Sequence, residues 1–119
     1  MMLCLMLYQV GVHLDPVNMI NSPDRFFRNA DFLRECFRKL GPHIRSTHAK
    51  DSALGTELTV HLDEVGPGDG SLDYGVFLEE LNKLDPDTPM MMEHMSSEAD
   101  YDRGAAFIRS VGEAIGIPL

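Results

Sequence analysis

One pattern that occurs three times constrains this chain more than any other feature of its sequence. Each time, a short apolar run is followed by a polar loop and then by apolar residues at helical spacing. The three runs lie at residues 10–15, 44–48 and 89–93. Because strands that alternate with helices are typical of parallel β/α structure, the sequence predicts three such units.

The helices are predicted from their apolar faces. Members of the first face are spaced four and three residues apart, and they are Phe26, Ala30, Leu33, Phe37 and Leu40. The second helix is expected to be capped by Asp73 and to carry Phe77, Leu81 and Leu84. Residues 96–98 predict the start of the third, whose face carries Tyr101, Ala105, Ile108 and Ile115. Between the first two helices, residues 58–62 form a further β-like stretch.

The length of 119 residues allows one domain at most. A complete eight-stranded β/α barrel needs about 250 residues, so three units predict either part of a barrel or a small open sheet. Residues 1–9 are apolar but too short for a membrane span and lack the positive region of a signal peptide. We interpret them as an N-terminal remnant, and residues 10–119 as the domain.

The charge balance excludes some partners. The net charge is -9, with 10 Lys and Arg against 19 Asp and Glu, whereas a nucleic-acid-binding protein usually carries a basic surface. A small neutral or metal-bound substrate fits this balance, and neither nucleic acid nor membrane is an expected partner. Cys4 and Cys36 have no metal-binding spacing and lie among apolar residues, which predicts buried free thiols and a cytoplasmic protein.

Each apolar run ends at a side chain that can bind a metal ion: Asp15, His48 and Glu93. In parallel β/α folds the carboxyl ends of the strands open on one face, so we expect these side chains to converge there. Two carboxylates and one imidazole suit Mn²⁺, Mg²⁺, Co²⁺ or Zn²⁺. Taken singly, each residue is more often a cap, a structural histidine or a surface carboxylate. Because all three occur at the same point, the end of an apolar run, a shared metal site is favoured over three separate roles.

The strings VGVHLDPVNMI, STHAKD, PGDGSLDY and MMMEH, in this order, resemble the sugar phosphate isomerase/epimerase family, the xylose isomerase-like barrels. The resemblance covers residues 10 to 111. It implies that the chain forms the last three β/α units, strands six to eight, of a (β/α)8 TIM barrel. In that family Glu, Asp, His and Glu from strands five to eight hold the metal. Asp15, His48 and Glu93 match the last three, and the first Glu and strands one to five have no counterpart here.

The resemblance also implies a reaction. A metal polarises the carbonyl of a sugar, and a carboxylate moves a proton on the adjacent carbon through an enediolate. Glu93 is expected to be one of the two acid/base carboxylates. Asn18 stands where family members often carry a histidine, and it can hydrogen-bond a sugar hydroxyl but cannot take a proton.

Neighbouring residues give further expectations. His13 lies two residues before Asp15 and so shares its side of the strand, either as core or in support of the site. Lys50 and Asp51 could reach a substrate or form a buried ion pair. His94 is expected to point away from Glu93 and to be structural.

Two other functions stay open. One is a metal-dependent phosphodiester hydrolase of the endonuclease IV-like group, which the acidic balance disfavours. The other is an inactive truncated product. Since three β/α units leave sheet edges and apolar surface uncovered, we expect a homo-oligomer or association with a missing N-terminal half.

Overall fold

The computed structural model of the chain describes residues 10–119, and both Cys4 and the predicted remnant at residues 1–9 lie outside them. Three strands form a parallel sheet in the order β1-β2-β5, and they are β1 (Val12–Leu14), β2 (Ile44–Ala49) and β5 (Met90–Met92). The helices that follow them are α1 (Pro23–Phe27), α2 (Asn29–Leu40), α3 (Tyr74–Leu81) and α4 (Glu98–Ala114). The predicted α/β class is confirmed.

Side-chain caps begin three of the helices. Each cap accepts a hydrogen bond from a backbone N–H in the first turn, which has no acceptor within the helix. The pairs are Ser22 with Arg25, Asp73 with Val76 and Ser97 with Asp100. The cap at Asp73 is the one predicted from the sequence. The first predicted helix is interrupted at Arg28, whose backbone leaves the helical region between α1 and α2.

The helices cover one face of the parallel sheet. Leu14, Thr47 and Ala49 are almost completely buried on that face, and the helical side chains in the same core include Leu33, Phe37, Phe77 and Ile108. On the other face His13 and Met91 are exposed and His48 is partly exposed. Within residues 10–119, no helix covers this second face, although a parallel sheet is usually covered on both.

The predicted face of the third helix is partly wrong. Tyr101 and Ile115 are exposed, whereas Gly104 and Gly112 are buried beside Ile108. A Cβ added at Gly104 would lie 3.0 Å from the sulfur of Met92, so the glycine allows α4 to approach the sheet closely. The hydrophobic pattern missed this because glycine adds no apolar side chain.

An antiparallel hairpin, made of β3 (Asp51–Leu54) and β4 (Leu62–Val65), extends from the end of β2. The predicted β-like stretch at residues 58–62 is therefore wrong except at Leu62. Leu58 lies outside the strands, and because it is 98% exposed its apolar side chain packs against no core. None of the helices within residues 10–119 has the length and apolar character needed to cross a membrane.

The hairpin is tied to the following loop by the carboxylate of Asp51, which is 1% exposed. Its Oδ1 accepts the N–H groups of Ser52 and Leu72, each at 2.8 Å, and its Oδ2 accepts those of Gly68 and Gly70 at 3.0 and 3.2 Å. Burial raises the pKa of Asp51, and the four backbone hydrogen bonds oppose that rise. One carboxylate thus fixes the course of the loop from Gly66 to Leu72.

We expect Asp51→Asn to lower the free energy of unfolding by about 1 to 3 kcal/mol. The amide replaces one charged oxygen by an NH2 group, which cannot accept a hydrogen bond, and its remaining oxygen is uncharged. Urea denaturation measures the change. Asp63→Asn, on the exposed side of β4, is the matched control and is expected to change stability by less than about 0.5 kcal/mol. Equal effects of the two substitutions would contradict this role of Asp51.

Candidate active site

The carboxyl ends of the three parallel strands bring Asp15, His48 and Glu93 together. Asp15 follows β1, His48 is near the end of β2, and Glu93 follows β5. Nδ1 of His48 lies 3.2 Å from Oδ2 of Asp15 and 3.1 Å from Oε1 of Glu93. One ligand atom from each of the three lies within 4.8 Å of the other two. The three side chains converge because β1, β2 and β5 are parallel neighbours, so their carboxyl ends lie at the same end of the sheet.

A short helical turn at Val17–Met19 orients Asp15. The backbone N–H of Asn18 donates to Oδ1 of Asp15 at 3.4 Å, which leaves Oδ2 directed at His48. The side chain of Asn18 is exposed at the rim. Its contact with the site is therefore through its backbone.

A buried cation joins the two carboxylates. The side chain of Lys50 is 3% exposed, and its Nζ lies 2.9 Å from Oδ2 of Asp15 and 2.6 Å from Oε1 of Glu93. Burial lowers the pKa of Lys50, but the hydrogen bonds with Glu93 and Asp15 outweigh burial and keep its pKa above the ordinary value. The same hydrogen bond holds the pKa of Glu93 below its ordinary value, so this carboxylate is ionised near neutral pH.

Tyr74 fixes the backbone that carries Lys50. Its hydroxyl donates to the carbonyl oxygen of Lys50 at 2.6 Å, and its ring is 2% exposed. Burial raises the pKa of Tyr74, so the hydroxyl keeps the proton that it donates. The sequence pattern indicated no role for Tyr74, although this tyrosine is the last residue of the PGDGSLDY string.

Asp51, the other residue considered with Lys50, is not part of the group formed by Asp15, His48 and Glu93. Both of its oxygens are engaged by the backbone N–H groups described above, and it forms no ion pair with Lys50. Burial at 1% exposure leaves it no surface for a substrate. Its contribution is to hold the loop beside the site.

His13 and Ser46 support the imidazole of His48 from the open face of the sheet. The Nδ1 atom of His13 and the hydroxyl of Ser46 share a hydrogen bond. The ring of His13 meets that of His48 edge to face, with 4.0 Å between the ring centres. His13 therefore touches a candidate ligand rather than the core, and Ser46 is a contact that the sequence did not indicate.

The expectation that His94 points away from Glu93 is wrong. His94 has a positive φ of 60°, which turns its ring back so that Nε2 lies 3.6 Å from Oε2 of Glu93. Its Nδ1 lies 2.8 Å from Oε1 of Glu64, a residue of β4 that also lies 3.4 Å from Nζ of Lys50. Glu64 was missed because only the hairpin, which the sequence did not predict, brings it here.

The three strand-end residues have the donor atoms that a divalent cation requires. Asp15 and Glu93 offer hard carboxylate oxygens, and His48 offers a ring nitrogen, a combination suited to Mn²⁺, Mg²⁺, Co²⁺ or Zn²⁺. Two carboxylates this close also need positive charge between them, which Lys50 supplies in part. The residues present therefore fit such an ion.

Among solved structures, this chain is similar to a xylose isomerase domain protein from Planctomyces limnophilus. The TM-score is 0.63 and the sequence identity is 20%, over 89% of this chain and 39% of that chain. The fold is that of part of a xylose isomerase-like domain. The resemblance predicted from the sequence is thus confirmed at the level of the fold, and the chain spans well under half of the similar protein. No protein-family model matches the sequence, and neither does any curated protein.

We expect Lys50→Met to lower the free energy of unfolding by about 2 kcal/mol, because it leaves Asp15 and Glu93 facing each other without a cation. This is less than the loss of a fully buried partner costs, since the side chain of Glu93 is 30% exposed. Chemical denaturation in a metal-free buffer measures it. Lys39→Met removes an exposed pair with Glu35 and serves as the control, with an expected loss below about 1 kcal/mol. A Lys50→Met protein as stable as the control would contradict the argument.

Proposed function

We propose that this chain supplies the metal-binding and proton-transferring residues of a sugar isomerase or epimerase. The observation that carries the proposal is the convergence of Asp15, His48 and Glu93 at three adjacent strand ends. The fold shared with part of a xylose isomerase domain protein supports it. In this proposal β1, β2 and β5 take the positions of strands six to eight in an eight-stranded barrel. The net charge of -9 gives no support to the phosphodiester hydrolase alternative.

The metal would be held by Asp15, His48 and Glu93. Once bound, a divalent ion would act as a Lewis acid toward the carbonyl and adjacent hydroxyl of a sugar. Lys50 would remain beside both carboxylates, so its ammonium would limit the negative charge that builds up in the site. His13 would keep the ring of His48 in place through their edge-to-face contact.

Glu93 would perform the proton transfer. As an ionised carboxylate it removes the proton from the carbon next to the carbonyl, which leaves an enediolate, and then returns the proton. Return to the neighbouring carbon, together with transfer of the hydroxyl proton from one oxygen of the enediolate to the other, isomerises the sugar. Return to the opposite face of the same carbon requires a second acid and epimerises the sugar. The hydrogen bond from Lys50 keeps Glu93 ionised but also reduces its basicity. The side chain is 30% exposed and so is accessible to a substrate.

We expect the chain to bind Mn²⁺, and we expect His48→Ala and Glu93→Gln each to weaken binding at least about tenfold, since each removes one of three ligands. Isothermal titration calorimetry measures the affinity. His43→Ala and Glu80→Gln, which lie outside the candidate site, are the matched controls. With Mn²⁺ bound, incubation with a ketose in D₂O is expected to place deuterium on the carbon next to the carbonyl, and Glu93→Gln is expected to abolish this.

Absence of Mn²⁺ binding by the unsubstituted chain would refute the proposed metal site. Deuterium incorporation that is unchanged in Glu93→Gln would refute the role of this carboxylate.

The edges of the sheet suggest a partner. Among the described strands, β1 and β5 each pair on one side only, and Met91 on the uncovered face is 43% exposed. We propose that further strands, from a second copy or from another polypeptide, pair at these edges and close the open face.

Sedimentation of the purified chain tests this association. We expect a species at least twice the chain mass of 13.3 kDa, because unpaired strand edges and exposed apolar side chains favour association. A compact monomer over the whole accessible concentration range would contradict it.

A further inference from the structure

The ammonium of Lys50 and the imidazole of His48 approach the same two oxygen atoms. Oδ2 of Asp15 lies 2.9 Å from Nζ of Lys50 and 3.2 Å from Nδ1 of His48. Oε1 of Glu93 lies 2.6 Å from the same Nζ and 3.1 Å from the same Nδ1. These two atoms are the shared oxygens of the site. A divalent ion held by them and by His48 would therefore contact oxygens that the ammonium already holds.

The other oxygen of each carboxylate has a different neighbour. Oδ1 of Asp15 accepts the backbone N–H of Asn18 at 3.4 Å, and Oε2 of Glu93 lies 3.6 Å from Nε2 of His94. The ammonium therefore cannot exchange the shared oxygens for these two without displacing a neighbour. Since positive charges on the same pair of oxygens repel each other, the ion and Lys50 compete for the shared oxygens.

One further carboxylate is within reach of the ammonium. Oε1 of Glu64 lies 3.4 Å from Nζ of Lys50, the longest of the three ion pairs that Lys50 makes within residues 10–119. Glu64 lies on β4, in the hairpin that Asp51 ties to the following loop. Nδ1 of His94 lies 2.8 Å from the same oxygen of Glu64 and holds it beside the site. This oxygen is thus an available acceptor for an ammonium that loses the shared oxygens.

We propose that Glu64 is a positioning residue for metal binding, because it takes up the ammonium of Lys50 when a divalent ion binds the shared oxygens. This inference rests on the proposed function and names the residue that lets Lys50 stay beside the ion. The side chain of Lys50 is 3% exposed, so little water is available to solvate its charge. Without Glu64 the ammonium would face the ion with no acceptor of its own, and a buried charge without a partner is costly.

Isothermal titration calorimetry with Mn²⁺ tests the proposal on the unsubstituted chain, Glu64→Gln, Lys50→Met and the double variant. We expect Glu64→Gln to weaken binding by about tenfold, because the ammonium then stays on the shared oxygens. We expect Lys50→Met to strengthen binding by at least about tenfold, because the competing cation is gone. The affinity of the double variant should match that of Lys50→Met within about twofold, since Glu64 then has no ammonium to receive.

Control variants separate this role from a general effect of charge or of folding. Asp63→Asn removes one exposed negative charge from the adjacent position of β4, and Lys50 has no ion pair with Asp63 among the described residues. It should change the affinity by less than about twofold. Lys50→Gln, which keeps a hydrogen-bond donor but no charge, should strengthen binding as Lys50→Met does. Circular dichroism verifies that each variant folds.

Persistence of the tenfold loss in the double variant, relative to Lys50→Met, would contradict the proposal, since Glu64 would then act on the ion itself. An equal loss in Asp63→Asn would contradict it as well.

The same titrations separate this inference from the proposed function. An unsubstituted chain that binds Mn²⁺ with the same affinity as Glu64→Gln would refute the inference alone. Absence of Mn²⁺ binding in all of these proteins would refute the proposed function.

Discussion

The ammonium of Lys50 is the interaction on which the arrangement of the site depends. It is almost fully buried, and it contacts carboxylates that come from the ends of β1 and β5 and from β4. Without it, Asp15 and Glu93 would repel each other at the edge where the strands end. Tyr74 holds the backbone of Lys50, so the site is linked directly to the core that α3 forms with the sheet.

The parallel sheet divides its two faces between stability and chemistry. One face packs against the helices and buries Leu14, Thr47 and Ala49. The other carries His13, Ser46 and His48, which interact with one another rather than with a core. Because side chains alternate along a strand, the same short segments serve both purposes. An enclosing barrel would place the second face in its interior, as the proposed function requires.

Much of this arrangement could be predicted from local patterns. Strand ends at Asp15, His48 and Glu93, and a cap at Asp73, follow from apolar runs, helical spacing and turn residues. The hairpin could not be predicted, because β3 follows β2 after a single residue and no turn signal separates them. The position of Glu64 beside the site depends on the hairpin, which is a long-range effect. The turn of His94 toward Glu93 depends on its positive φ, which is a property of the backbone.

In the proposed site, three side chains distant in sequence surround one cation. Pulsed electron paramagnetic resonance of the Mn²⁺-loaded chain tests it most directly, since it detects nitrogen nuclei bound to the ion. We predict coupling to one imidazole nitrogen, which is lost in His48→Ala and retained in His13→Gln. Bound Mn²⁺ without nitrogen coupling, or coupling that survives His48→Ala, would contradict it.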